Sequence, residues 1–272
     1  MAERKIVQMQ ELNKNTKEVV ANQMPQTLAE AVLYTNAEPM VSAHGGIPAG
    51  TTFEDTPIAE ILTDILYPYT KPTVSLQASV AAGVKEKGAS LANIVLTATV
   101  GKKSKPIKKV EFLKDSTVIN TVASPKANGG TETYTYPGPV TANCSLKAQV
   151  TDEQDSVVTS NAIAYTFVYP AYVGSVNAGS AAPTETEIKA MTKKIVSKST
   201  ITETYTIENK RMCIACPPGW TLTKITDPNG FDVTSSFTKY TVSVTGLDGT
   251  AQQYNVYVSA ATTQTGFKVT FA

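Results

Sequence analysis

The chain has 272 residues, with 24 Lys and Arg, 23 Asp and Glu, and one His. This balance of charge gives no electrostatic reason to expect nucleic acid or an acidic membrane surface as a partner. A single histidine also makes a histidine-based metal site or acid–base catalysis by histidine less expected. Three cysteines cannot all pair, which argues against a secreted disulfide framework. No apolar run approaches the length that spans a bilayer, and none follows the polar first residues, so we expect synthesis in a cytoplasm without a secretory signal.

Residues 1–40 resemble an arm, because their apolar side chains are too scattered to form a core. We expect this arm to become ordered only against a neighbouring subunit or another protein. Within it, Thr27–Tyr34 is predicted to form two helical turns. The apolar side chains available for such a contact are Ile6, Val7, Met9, Leu12, Leu28, Val32 and Leu33.

A turn-rich loop and an amphipathic helix follow the arm. The segment His44–Phe53 contains three glycines and a proline, which predicts a tight loop. Thr56 as N-cap and Pro57 at the first position begin the predicted helix, and Pro68 ends it. One apolar stripe at helical spacing comprises Ile58, Ile61, Leu62, Ile65 and Leu66. Because this stripe needs an apolar partner, the helix is predicted to cap the end of a β-domain. The arm and this helix together, residues 1–70, are predicted to serve attachment and oligomerisation, because the arm cannot bury its apolar residues alone.

Residues 71–170 contain short alternating runs separated by turn signals. Ile94, Leu96 and Ala98 alternate with polar or outward positions, and a second run of the same kind begins at Cys144. About seven such strands at spacings of roughly 10–15 residues are typical of an immunoglobulin-like β-sandwich. The disulfide and core tryptophan of antibody domains are missing, so the prediction concerns architecture only.

Residues 171–272 are predicted to form a second, small β-domain with one helix. The run Gly174–Ala182 is rich in Gly, Ser and Ala and is interpreted as an exposed linker. Thr184 and Glu187 form a capping box that begins the helix, whose narrow apolar stripe is Ile188, Met191 and Ile195. Strands return after Thr200, and a hairpin turn is predicted at Leu247–Thr250.

Cysteine and histidine offer two candidate reactive sites. Cys213 and Cys216 have CxxC spacing, but their flanks predict a strand entering a turn, and no second CxxC is present for zinc. We therefore favour buried thiols over a metal, disulfide or redox site. His44 has no orienting carboxylate or nucleophile at a recognisable spacing, and we favour a structural or subunit-contact role.

Carboxylates offer two further candidates. Asp152, Glu153 and Asp155 could hold calcium, although solvated turn carboxylates are the favoured interpretation. Glu185 and Glu187 could form an acid–base pair, but capping explains Glu187, and Glu185 lies favourably in the first helical turn.

An aromatic set and a basic cluster complete the candidates. Trp220 with Tyr205 and Tyr240 could form a sugar-stacking surface, and the alternative, which we favour, is a core tryptophan. The basic cluster comprises Lys102, Lys103, Lys105, Lys108 and Lys109; because it lacks interleaved aromatics, we interpret it as a solvated loop. No catalytic, cofactor-binding or metal-binding residue is assigned, and no cofactor is expected.

Several of these stretches resemble virion structural proteins of phages that infect gut bacteria. The likeness lies in His44–Phe53 followed by the helix ending Leu66-Tyr67-Pro68-Tyr69, and in the runs Ser236–Lys239, Gly246–Gln252 and Tyr254–Val258. It covers roughly residues 30–272, carried by short runs. The resemblance implies a tail, baseplate or head-fibre part and an assembly role without catalytic residues.

These observations lead to three hypotheses about function. The leading hypothesis is a non-enzymatic component of a phage virion, partnered by capsid or tail proteins and by further copies of itself, with a trimer as the expected oligomer. A second hypothesis is a receptor- or carbohydrate-binding module at an appendage tip, which would contact a bacterial surface glycan. The third, an enzyme such as a depolymerase, would need a pair of carboxylates in a groove.

Overall fold

The computed structural model describes residues 9–12, 19–23, 33–34, 38–43, 47, 49–179, 181–198, 201–227 and 229–271. The chain divides into two compact units, Met1–Thr70 and Lys71–Ala272. In the described ranges, no helix has the length and apolar character needed to cross a membrane. The architecture is mainly β, in agreement with the sequence prediction.

Within its described residues, the first unit contains short strand pairs and one helix. Strand β1 (Met9–Leu12) pairs antiparallel with β2 (Val19–Gln23), and β3 (Leu33–Tyr34) pairs antiparallel with β4 (Thr56–Pro57). Leu33 and Tyr34 are therefore extended, and their predicted helical conformation is wrong because they pair with a strand. The rest of the predicted turns from Thr27, like His44, lies outside the described residues.

Helix α1 spans Ile58–Leu66 and begins one residue later than the sequence predicted. Pro57 is its N-cap and makes no side-chain capping hydrogen bond, while Thr56 is held in β4 instead. At the other end, the Tyr67 amide donates to the Thr63 carbonyl at 2.8 Å, and Pro68 follows. The missing side-chain cap leaves the first amides of this short helix without the stabilisation that a Thr or Asp cap supplies.

Two sheets, antiparallel except for one strand pair, face each other in the first part of the second unit. The smaller sheet has the order β10-β7-β5, and the larger has the order β6-β13-β11-β8-β9, with β12 paired to β11. Within the larger sheet, β6 runs parallel to β13. The strands are β5 (Thr73–Ala78), β6 (Gly83–Glu86), β7 (Ile94–Gly101), β8 (Ile107–Lys114), β9 (Thr117–Val122), β10 (Gly129–Tyr136), β11 (Cys144–Asp152), β12 (Val157–Thr159) and β13 (Ile163–Val168). This strand order is that of an immunoglobulin-like sandwich, as predicted.

The sandwich core follows from the period of two along each strand. In β7, Ile94, Leu96 and Ala98 are fully buried while the residues between them are not. Tyr165 is also buried, and its hydroxyl donates to the Val80 carbonyl at 2.7 Å. Each fully buried apolar side chain contributes about 1.5–3 kcal/mol relative to exposure. The core comprises Leu76, Ile94, Leu96, Ala98, Val100, Ile107, Val110, Phe112, Val140, Cys144, Leu146, Ala148, Val150, Tyr165 and Phe167.

A third sheet of the second unit, in the C-terminal part of the chain, contains both short and long strands. Its order is β15-β14-β16-β19-β17, with β18 paired to β19. The elements are β14 (Ala171–Asn177), α2 (Glu185–Ala190), β15 (Thr192–Lys194), β16 (Ile201–Cys216), β17 (Ile225–Thr226), a 3-10 turn at Thr234–Ser236, β18 (Phe237–Thr245) and β19 (Ala251–Phe271). A separate hydrophobic cluster covers each face of this sheet. The division of the second unit into domains 71–170 and 171–272 stays a prediction; the clusters of the two parts share no buried residue.

The predicted linker Gly174–Ala182 is largely wrong, because its first residues belong to the buried strand β14. The Met191 side chain packs closely against Gly174. A Cβ at position 174 would lie only 3.2 Å from Met191 side-chain atoms, which favours glycine here. The Arg211 guanidinium then fixes the following segment by donating to the carbonyls of Asn177 and Ala181 at 2.8 and 2.9 Å. Small residues here allow close packing rather than flexibility.

Helix α2 begins with the predicted capping box. The Thr184 hydroxyl accepts from the Glu187 amide, and the Glu187 carboxylate accepts from the Thr184 amide at 2.9 Å. Ile188 is fully buried, but the helix ends at Ala190, and Ile195 is 38% exposed. The longer predicted stripe is wrong because Thr192–Lys194 pair with β14 as strand β15.

Candidate functional site

The CxxC cysteines lie on opposite faces of the C-terminal sheet. Both belong to β16 and are fully buried, Cys213 in the cluster beneath α2 and Cys216 in the cluster on the other face. Residues three apart along a strand point in opposite directions, so the two sulfurs do not converge on one metal or on each other. Burial raises the pKa of both thiols to about 12. The arrangement fits packed thiols and leaves almost no thiolate at neutral pH.

Asp152 is buried and organises a turn, which corrects the prediction of a solvated carboxylate. Its Oδ1 accepts from the amides of Gln154 and Ser156, each at 3.0 Å. Asp155 has a left-handed φ of 60° and forms an ion pair with Lys108 at 2.6 Å. These carboxylates are therefore committed to the turn between β11 and β12. Among the residues that the structure describes, no group of three or more His, Cys, Asp or Glu could hold a metal.

Glu185 and Glu187 make separate hydrogen bonds that hold helix α2 in place, and they do not form a pair. Glu187 closes the capping box, whereas the Glu185 carboxylate accepts from the Thr245 amide at 2.8 Å and pairs with Lys189 at 2.7 Å. The hydrogen bond from Lys189, together with that from Thr245, lowers the pKa of Glu185 to about 2. Neither carboxylate has the raised pKa that a general acid needs, and both fix the helix to the sheet.

The predicted aromatic surface is not assembled as a unit. Trp220 packs against the cluster that contains Cys216, while Tyr240 packs against the cluster on the opposite face. The side chain of Tyr205 lies outside the described residues. In the basic cluster, Lys108 and Lys109 form ion pairs with Asp155 and Glu111.

An apolar face of helix α1 is left in contact with water. Leu62 is 48% exposed, Leu66 is 67% exposed and the following Tyr67 is 75% exposed. No residue of the helix is fully buried. Leu62 and Leu66 are four residues apart and so share one face of the helix, and neighbouring exposed apolar side chains of this kind are typical of an interaction site.

The hairpin Gly246–Thr250 joins the C-terminal sheet to the sandwich. The turn forms as predicted, with the Gly246 amide donating to the Thr250 carbonyl at 2.9 Å. The Tyr169 hydroxyl donates to the Asp248 carboxylate at 2.8 Å. Desolvation, followed by this hydrogen bond, raises the pKa of the phenol. On the sandwich side, Gly88 lies so close that a Cβ there would be 2.3 Å from the Asp248 amide nitrogen.

Two further contacts span the same junction. Lys193 of β15 pairs with Glu86 of β6 at 3.0 Å, and the buried Tyr254 hydroxyl donates to the Pro170 carbonyl at 2.9 Å. The junction therefore combines backbone packing, an ion pair and oriented phenols. Because its close approach depends on Gly88, sequence reasoning could not find it: one glycine before β7 gives no signal of a distant hairpin.

A groove of about 530 Å³ lies beside this junction. Its wall includes Lys87, Asn143, Tyr169, Pro218 and Trp220. The Asn143 amide oxygen accepts from the Phe167 amide at 2.7 Å, which fixes the orientation of the side chain. Volumes of this order are typical of small-molecule sites. The sequence analysis had singled out Trp220 in this groove but not the other lining residues, which together with Trp220 come from five separate segments of the chain.

Comparison with known proteins identifies no family. No family model matches the sequence, and no curated protein matches it. Among solved structures, the fibronectin(III)-like modules of Clostridium thermocellum CbhA align with 35% of this chain and 94% of theirs, at 25% identity and a TM-score of 0.28. At that TM-score the likeness says nothing about function, and the sandwich assignment rests on the strand order observed here.

Proposed function

We propose that the chain is a non-enzymatic structural component of a bacteriophage virion that assembles through its N-terminal region and displays its β-modules. It would be a head fibre, a decoration protein or a tail or baseplate part, made in the host cytoplasm and located in the virion. Its partners would be capsid or tail proteins and further copies of itself, with a trimer as the expected oligomer. The sequence resemblance supplies the phage origin.

The exposed face of helix α1 is the observation that carries the proposal. Leu62 and Leu66 gain nothing while they remain in water, whereas each contributes about 1.5–3 kcal/mol when a partner buries it. Closed cyclic assemblies use one such patch on every subunit. A helix of nine residues that buries none of its own side chains gains most of its stability from the partner, which fits an assembly element.

The junction supports the display role. Gly88, Tyr169 and Asp248 hold the sandwich and the C-terminal sheet in direct contact. An appendage must keep its distal parts at a defined position, and packed junctions of this kind oppose the domain motion that is otherwise the default.

Light scattering tests the assembly step. The full chain is expected to be an oligomer, and Leu62→Glu with Leu66→Glu is expected to give a folded monomer because each exposed position tolerates a charge. Phe231→Glu is the matched control, since Phe231 is 69% exposed in a loop of the second unit. If the control dissociates the protein equally, or the double variant remains oligomeric, helix α1 is not the contact.

The virion assignment needs a separate measurement. Particles released from cells that carry the gene are banded on a density gradient, and their proteins are identified by mass spectrometry. The chain is expected in stoichiometric amount in the particle band. Its absence from purified particles would overturn the virion proposal whatever the oligomeric state.

A second candidate function is a receptor- or carbohydrate-binding module. The specific observation in its favour is the groove with Trp220, because an aromatic ring beside free polar groups is a typical saccharide platform. The two candidates are compatible, since an appendage protein can both assemble and bind.

A further inference from the structure

We propose that the Trp220 groove binds an acidic saccharide, with the sugar ring against the indole and a carboxylate paired to Lys87. The groove is defined by Lys87, Asn143, Tyr169, Pro218 and Trp220. This inference rests on the second candidate function and names its ligand class. It is independent of assembly through helix α1.

The free polar groups of the groove are hydrogen-bond donors. Within the part of the chain that the structure describes, the Lys87 ammonium has no hydrogen bond or ion pair, and the Trp220 indole N–H has no acceptor. The Asn143 amide uses its oxygen for Phe167, so the two N–H bonds of its nitrogen remain available. An ammonium, an amide N–H₂ and an indole N–H together call for a ligand rich in oxygen acceptors.

The charge of the groove favours an anion over a neutral ligand. No carboxylate is among the described residues that line it. Two acidic side chains next in sequence or hydrogen-bonded to lining residues are engaged with other groups: Glu86 pairs with Lys193, and Asp248 accepts from Tyr169. Lys87 is therefore the charged group of the site, and a carboxylate on the ligand is the partner that makes a charge-assisted hydrogen bond.

The apolar part of the groove favours a ring over a simple anion. The rings of Trp220 and Pro218 contribute apolar atoms to the lining, and Tyr169 is held in place by hydrogen bonds with both Asp248 and Gln252. A small inorganic anion would leave this surface uncovered. A uronic or sialic acid unit offers an apolar ring face, hydroxyl acceptors and a carboxylate in one residue, which matches all three features.

Tryptophan fluorescence reports on this site directly, because the chain has a single Trp. The full chain is titrated with trigalacturonate and sialyllactose, and with the trimethyl ester of trigalacturonate and lactose as their respective neutral counterparts. At least one acidic saccharide is expected to give a saturating change, and its neutral counterpart is expected to bind at least about tenfold more weakly, as the loss of one charge-assisted bond implies.

Two variants test the assigned residues. Lys87→Gln is expected to weaken acidic binding about tenfold or more, whereas Lys103→Gln, the same charge change at an exposed lysine outside the groove, leaves it unchanged. Asn143→Asp keeps an oxygen acceptor for Phe167 but adds a negative charge, so it should abolish acidic binding without unfolding the protein. Calorimetry of each variant gives a second readout.

The outcomes separate the two claims. Equal affinity for acidic and neutral sugars overturns the acidic preference, and Lys87→Gln binding as tightly as wild type overturns the pairing of the carboxylate with Lys87. Either result leaves carbohydrate binding in place. If no saccharide changes the fluorescence or the calorimetric heat at about 10 mM, the site and the second candidate function both fail.

Discussion

Gly88→Ala is the most informative single change in the second unit. The gap between Gly88 in the sandwich and the hairpin Gly246–Thr250 is too narrow to hold a methyl group. Its φ is +95°, and a Cβ would lie 2.3 Å from the Asp248 amide nitrogen and 2.7 Å from the Leu247 carbonyl carbon. Left-handed backbone costs a non-glycine residue about 1–2 kcal/mol. Overpacking against backbone that cannot rotate away costs about 1–3 kcal/mol more. We therefore expect a loss of about 2–5 kcal/mol.

The control for this change is Gly230→Ala. Gly230 has a φ of +88° and no atom within 4 Å of its Cβ position, so it carries the backbone strain alone, about 1–2 kcal/mol. Urea unfolding followed by Trp220 fluorescence and circular dichroism gives both free energies of unfolding. Limited proteolysis should also cleave Gly88→Ala faster near the junction. Equal destabilisation by the two variants would refute the packed junction.

Three further outcomes follow from the described contacts. The pKa of Glu185 falls from 4.5 to about 2 on folding, so ionised Glu185 stabilises the folded protein above about pH 4.5 and loses this effect as the pH falls through about 2. The difference in melting temperature between wild type and Glu185→Gln should therefore shrink over that range. Cys213 and Cys216, with pKa values of about 12, should resist iodoacetamide at pH 8 until urea is added, and chelator or reductant should leave the melting temperature unchanged. Ile188→Ala should cost about 2–5 kcal/mol in chemical unfolding, since Ile188 is fully buried.

Local patterns predicted much of the fold. The alternation in β7 and β11, the capping box at Thr184 and the hairpin at Leu247–Thr250 are properties of adjacent residues, and the structure shows each of them. These features depend on periodicity and turn chemistry within about ten residues of the chain, where sequence reasoning is strongest.

Composition alone misled where distant contacts decide the outcome. The run after Gly174 has the residue types of a linker, but Met191 and Arg211 turn it into packed structure. Asp152 has the residue type of a solvated turn, but the fold buries it and uses its oxygen for two backbone amides. The candidate groove escaped prediction for the same reason, since Lys87 and Asn143 come close to Trp220 only through the junction.

The distribution of satisfied and unsatisfied groups indicates where this chain can bind. In the described residues, every buried side-chain nitrogen and oxygen has a hydrogen-bond partner. The carboxylates of Asp152 in β11 and of Glu185 and Glu187 in α2 all accept hydrogen bonds. Saturated groups have little free energy to gain from a ligand. Two places differ: the exposed apolar face at Leu62 and Leu66, and the donor-lined groove at Trp220. The apolar face gains free energy when a partner excludes water from it, so it suits a protein. The groove gains free energy by donating hydrogen bonds to the oxygen atoms of a ligand, so it suits a small polar molecule. Assembly and ligand binding can therefore be separated by mutation within one chain.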